Sequence, residues 1–171
     1  MDSALVDDTL AAFILSGLSI QVAACRDDGR TTLVRGAGAR LSADRRQLTV
    51  LVPASQSASL LQSLAANGRI AVLFNEPESH RSVQLKGRDA VIGTVSDADR
   101  AALPAYVATL TRRLQHYRIP EAFCRALFSV APDDLAAVTF TPGEAYGQTP
   151  GPHAGEPLRH GEADERGDSH R

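Results

Sequence analysis

The residues best suited to chemistry fall in two short stretches. The first, HRSVQLKGRD (His80 to Asp89), carries Lys86, the only lysine of the chain; every other basic residue among the eighteen Lys+Arg is arginine. Drawn as a strand, it sets His80, Ser82, Gln84 and Lys86 on one face and Arg81, Val83 and Leu85 on the other. An unbroken row of hydroxyl, amide and ammonium groups can bind a polar or anionic ligand. It can equally face water, as one side of an antiparallel sheet commonly does. The second stretch, PASQSAS (Pro53 to Ser59), gathers hydroxyls at the start of a predicted helix, with Ser55, Gln56 and Ser57 foremost. Free backbone amides at a helix N-terminus suit a phosphate, although serines are also common caps that need no ligand. Arg35, on an earlier strand, reaches the same end in one register. A helix start, an arginine and a polar strand face would together form an anion cradle.

Other chemistries find little support. Three of the five histidines (153, 160 and 170) lie in the C-terminal stretch, and His80 and His116 have no partner at ligand spacing, so no metal site is expected. There is no G-x-S-x-G, neither cysteine has a histidine nearby in sequence, and no acid or base stands out, so no catalytic residue is assigned. RGAG, at Arg35–Gly38, is too short for a dinucleotide fingerprint and reads as a strand bulge. The net charge of −2 lacks the basic excess that nucleic-acid binding requires. Cys25 and Cys124 lie too far apart for a disulfide framework. They suggest a reducing, cytoplasmic setting, with Cys25 a buried structural thiol. The apolar run TLAAFILSGLSIQVAAC mimics a lipoprotein signal, but its leading segment is acidic and Gly17, Ser19 and Gln21 interrupt it. Neither a signal nor a membrane span is expected.

The elements that must position these residues can be read from hydrophobic periodicity. Length (171 residues) and composition (43% hydrophobic, 22% charged) fit one globular domain. Asp7 or Asp8 caps a helix over Thr9–Ser16, ended by Gly17. Strands follow at 18–25, 31–41 and 47–53; the DDGR turn links the first two, and Gly36 and Gly38 mark a bulge or a close backbone approach. A helix over 55–66 leads to a buried strand at 69–75 and then to the His80 strand, which runs to about Thr94. Pro104 interrupts a helical region opened by Ser96 and Asp97, so a helix is expected from Pro104 to about Tyr117. Pro120 starts another, with Phe123, Leu127 and Val130 inward. A last strand lies in LAAVTFTP. From His153 onward the chain has no aromatic residue and reads as a disordered tail, leaving a domain over 1–152 and a tail over 153–171. The fold class is α+β, mainly β: a six-stranded antiparallel split β-barrel with peripheral helices.

The sequence resembles the pyridoxamine 5'-phosphate oxidase-like, FMN-binding split-barrel proteins over about Leu10 to Leu158. The resemblance rests on element order and on LLQSLAANGRIAVLF, HRSVQLKG and FTPGEAYGQTPGPHAG. It implies a homodimer with FMN in a groove between subunits and a flavin-dependent oxidoreductase of unknown substrate. It assigns cofactor binding to Arg35, Ser55, Gln56, Ser57, Arg81 and Ser82, with Gln84 and Lys86 on the Ser82 face. The family's Ser-Arg-Lys triplet is Ser-Gln-Ser here, and Leu41 falls near its second-strand lysine. Its C-terminal Arg-x-His substrate motif is absent, so oxidation of pyridoxamine phosphate is not implied. The missing charges keep a second reading open: a non-catalytic split-barrel dimer that binds haem, another planar ligand, or none.

Overall fold

The computed structural model of the protein describes residues 5–158. Asp7 caps the first helix, accepting a hydrogen bond from the Leu10 amide at 2.8 Å, and α1 runs Asp8–Ile14. The strands are β1 (Ser19–Cys25), β2 (Thr31–Arg35), β3 (Gly38–Leu41), β4 (Leu48–Pro53), β5 (Ile70–Asn75), β6 (Ser82–Gly87), β7 (Val91–Gly93), β8 (Leu135–Phe140) and β9 (Glu144–Gly147). Between them lie α2 (Ala58–Asn67), α3 (Asp97–Leu114) and α4 (Glu121–Phe128). One sheet has the order β2-β1-β5-β6-β9 and the other β3-β4-β8-β7, with antiparallel pairing throughout.

The α+β class holds, but the described residues form nine strands in two sheets where the sequence predicts six in one barrel. Two of the expected strands are each cut in two. In the first, Gly36 donates to Ile20 O at 2.9 Å and Ala37 to Leu51 O at 2.7 Å, so successive amides bond to different sheets and the run changes sheet there. A Cβ on Gly36 would stand 2.6 Å from Ile20 Cγ2, so the glycine marks the close approach its position suggested. The second run breaks at 88–90, where Ala90 donates to Gly68 O at 3.0 Å beside the left-handed end of α2. The ninth strand, β9, pairs with β6 and was not legible as a strand in the YGQTPGP segment.

The core follows strand alternation. Ile20, Val22, Val72, Phe74 and Leu85 pack with Leu48, Val50, Val52, Val138 and Phe140, and α1 and α2 add Leu10, Ile14, Leu60 and Leu64. Burying each such side chain contributes about 1.5–3 kcal/mol.

Two helix expectations are corrected. Pro104 does not start a helix; it lies inside α3. A proline there loses one backbone hydrogen bond. The helix holds because a capping box at Ser96 fixes its start and Leu103, Val107 and Leu110 are buried on either side of the proline. In α4 the buried residues are Cys124 and Phe128, packed against Val107 and Leu110, while Phe123 and Leu127 are 58% and 43% exposed. Cys25 is half-buried on the outer face of β1, not buried as its strand position suggested. No described helix is long and apolar enough to cross a membrane. His153 to Leu158 turn back toward β9, Pro157 bridging Tyr146 and Leu158 N donating to Ala145 O at 2.9 Å. The rest of the expected tail lies outside the described residues.

Candidate functional site

The outer face of the five-stranded sheet collects most of the residues the sequence singles out. Strand register places Arg35 opposite Gln21, Gln21 opposite Leu73, Leu73 opposite Gln84 and Gln84 opposite Tyr146. The adjacent row runs Leu33, Ala23, Ala71, Lys86 and Glu144. Ala23, Ala71 and Leu73 thus lie in the middle of a strip with Arg35 and Leu33 at one margin and Gln84, Lys86, Glu144 and Tyr146 toward the other. At roughly 4.8 Å per strand, Arg35 on β2 and Gln84 on β6 stand about 14 Å apart. Within the strip, Gln21 Nε2 donates to Ser19 Oγ at 2.9 Å, while Gln21 Oε1 is buried without a partner. An unpaired buried acceptor of this kind costs about 1–3 kcal/mol.

Ser82, Gln84 and Lys86 share the expected face, but each is differently engaged. Ser82 is buried; its hydroxyl accepts from Asn75 Nδ2 at 2.7 Å and donates to His80 O at 2.9 Å, and its amide donates to Thr149 Oγ1 at 3.1 Å. Lys86 Nζ lies 4.5 Å from the Tyr146 ring centroid, opposite Glu144. Tyr146 donates to Glu144 Oε2 at 2.5 Å, and this hydrogen bond raises the phenol's pKa. His80 leaves the face altogether: it sits in the preceding turn at φ 60°, its Nε2 3.5 Å from Tyr117 Oη.

The three predicted cations all rest on rings of this chain. Arg35 lies 4.8 Å from the Phe128 centroid and donates to Leu127 O at 3.2 Å. Arg81 lies 4.2 Å from the Phe13 centroid, away from the Ser82 face, with its Nε buried and unpartnered. Each such contact contributes ~0.5–1 kcal/mol where exposed.

The start of α2 is already occupied by groups of the chain itself. After a single 3-10 turn (Ala54–Gln56), Ser57 is buried and donates to Pro53 O at 2.6 Å. Ser55 donates from its amide to Asp134 Oδ1 at 2.7 Å and from its hydroxyl to Asp134 Oδ2 at 2.6 Å. The Ser55 hydroxyl, and then its amide, hold the Asp134 carboxyl below the ordinary carboxylate range. Gln56 is exposed. A phosphate dianion does not fit this arrangement: both Ser55 donors are taken by a carboxylate of the same sign. The sheet strip instead offers a ring system the apolar surface of Leu73, Ala23 and Ala71, bordered by Gln84 and Lys86.

One concave feature was not legible in sequence. A cleft of about 510 Å³ lies between the end of α1, β3 and α3, lined by Leu15, Ile20, Ala39, Leu103 and Tyr106. Arg40 on β3 meets Asp99 Oδ1 through its Nε at 2.8 Å. Burial works to raise the Asp99 pKa, but Ser96 and Arg40 together hold it below its usual value. Tyr106 donates to Leu18 O at 2.9 Å, and burial raises its pKa. The glycines at 36 and 38 were the available signal for this backbone approach, but the contribution of α3 lies about 60 residues away in sequence, beyond the reach of local patterns.

No protein-family model matches the chain, and no curated protein matches it. Solved structures similar to it include HupZ of Group A Streptococcus (16% identity, 85% of this chain and 96% of that one, TM-score 0.49). Another is a putative pyridoxamine 5'-phosphate oxidase from Lactobacillus delbrueckii (12% identity, 80% and 89%, TM-score 0.48). A third is a pyridoxamine 5'-phosphate oxidase-related, FMN-binding protein from Nostoc punctiforme (15% identity, 77% and 74%, TM-score 0.42). Pyridoxamine 5'-phosphate oxidase-like proteins, the family the sequence resembles, are thus among the solved structures this chain is similar to.

Proposed function

We propose that the protein is a flavin-binding homodimer of the oxidoreductase type, with the ring system of FMN lying on the outer face of the five-stranded sheet between subunits. The observation that carries this reading is the strand register, which sets Arg35, Gln84 and Lys86 around Leu73, Ala23 and Ala71 on one outer sheet face. An apolar strip bordered by amide and cationic side chains suits a flat heterocycle with polar edges. Gln84 and Lys86 would border the ring on one side and Arg35 on the other, while Ser82 holds Asn75 in place. The two runs that change sheet support a split barrel of six strands with β9 added. Bound flavin would supply the electron transfer; the chain would bind it, orient it and exclude water. The absorbance spectrum of the purified protein tests the reading. Flavin bands, with FMN as the released chromophore, are expected. A colourless protein that does not retain added FMN would rule the reading out.

The Asp134–Ser55 pair favours a second reading, a non-catalytic dimer that takes a planar ligand without a phosphate, such as haem. A Soret band in the same spectrum would select it.

A further inference from the structure

We infer that this protein grips a flavin by its ring and not by its phosphate, so that riboflavin binds about as tightly as FMN. The inference rests on the flavin reading above and adds to it the chemical class of ligand that the site prefers. The sequence resemblance assigns the phosphate to the start of α2, where the chain has placed Asp134. This carboxylate is not a side chain that swings freely. Leu135, the next residue, pairs with Pro53 at the end of the β4–β8 ladder, and Ala54 N donates to Asp134 O at 3.1 Å. Two ladder-anchored backbones therefore hold the carboxylate against the Ser55 amide and hydroxyl. The bonds at 2.7 and 2.6 Å are short, as expected for an ionised acceptor. Ser57 offers no alternative, since its hydroxyl is buried and donates to Pro53 O.

The cations that could replace the missing Arg and Lys of the triplet are engaged elsewhere. Arg35 is held by Leu127 O and the Phe128 ring, Arg81 lies on Phe13, Lys86 lies on Tyr146 opposite Glu144, and Arg40 pairs with Asp99. A phosphate held by charged donors gains on the order of 10–100-fold in affinity per hydrogen bond. Without such donors the phosphate of FMN remains in solvent and contributes little.

Titrating FMN and riboflavin against the full chain, followed by quenching of flavin fluorescence, tests this directly. The two dissociation constants are expected to agree within about threefold, since no charge-assisted bond separates them. In Asp134→Ala, FMN is expected to bind more tightly while riboflavin is unchanged. Ser55→Ala, which keeps the chain's own packing, is expected to leave the FMN-to-riboflavin ratio of the wild type unaltered. An FMN preference of roughly tenfold or more in the wild type would overturn the inference alone, and its loss in Ser55→Ala would place the phosphate at the start of α2. Failure of both flavins to bind would overturn the flavin reading and this inference with it.

Discussion

Gly36 sits where the chain leaves one sheet for the other, and its lack of a side chain is a packing requirement. A methyl group there would meet Ile20 Cγ2 at 2.6 Å and Ile20 Cβ at 2.8 Å, both in the core. Gly36→Ala is therefore expected to cost about 1–3 kcal/mol, as overpacking of a filled core does. Urea unfolding should show a lower midpoint with an unchanged slope. Tyr106 closes the same corner from α3, its hydroxyl donating to Leu18 O. Tyr106→Phe keeps the ring and leaves that carbonyl unpaired, at a cost of about 1 kcal/mol by the same measurement. At this scale the sequence was informative about type and face and silent about partners. The alternation of HRSVQLKG put Ser82, Gln84 and Lys86 on one face, which the register confirms. Nothing local to Ser55 could reveal Asp134, 79 positions away.

The elements differ in legibility because some are defined by local chemistry and others by what they pack against. Although α1 stops at Ile14 with Leu15 as its cap, before the end that Gly17 suggested, Asp7 and the β1–β2 hairpin carry their own signals and fall where expected. Helix α3 does not. Its start was marked by Ser96 and Asp97, but Pro104 argued for a break that tertiary packing overrides. In α4 the sequence put Phe123 and Leu127 inward, but the contact of Cys124 and Phe128 with α3 turns the helix so that both lie outside. The capping box gives α3 a measurable pH dependence. Ser96 Oγ accepts from the Asp99 amide at 3.1 Å, and Asp99 Oδ2 accepts from the Ser96 amide at 2.9 Å. The Asp99 pKa is lowered in the folded chain. Its contribution to stability is therefore fully present above the unfolded value of roughly 3.9 and is lost as pH falls through the folded value. Acid unfolding curves should show this loss below about pH 4 in the wild type. Asp99→Asn should remove that component of the pH dependence, and Ser96→Ala should cost about 1 kcal/mol at neutral pH.

For the molecule as a whole, the two-sheet arrangement leaves the outer face of the five-stranded sheet half-buried, with apolar side chains still in contact with solvent. Leu33 on β2 is 68% exposed, and Leu127 on α4, whose carbonyl accepts from Arg35, is 43% exposed. Along the same sheet, Ala23, Ala71 and Leu73 are only partly covered, and Gln21 Oε1 is unpartnered. A second copy of the chain on this face would bury the apolar strip and enclose the proposed flavin position in one step. Sequence alone cannot mark such a surface, because a strand with polar and apolar residues on its outer side reads the same whether it faces water or protein. Leu33→Lys tests the arrangement. Lysine at an exposed edge-strand position leaves the folded monomer intact, since β strands tolerate it well there. At a dimer interface the same charge would be buried without a partner, a desolvation penalty that weakens association by roughly 100-fold or more. Light scattering should find a dimer for the wild type and a monomer for Leu33→Lys, with unchanged circular dichroism. Flavin affinity should fall in the same variant, because the second wall of the site is lost. A wild-type chain that scatters as a monomer with flavin bound would show instead that one sheet face suffices for the ligand, and the groove between subunits would then be discarded.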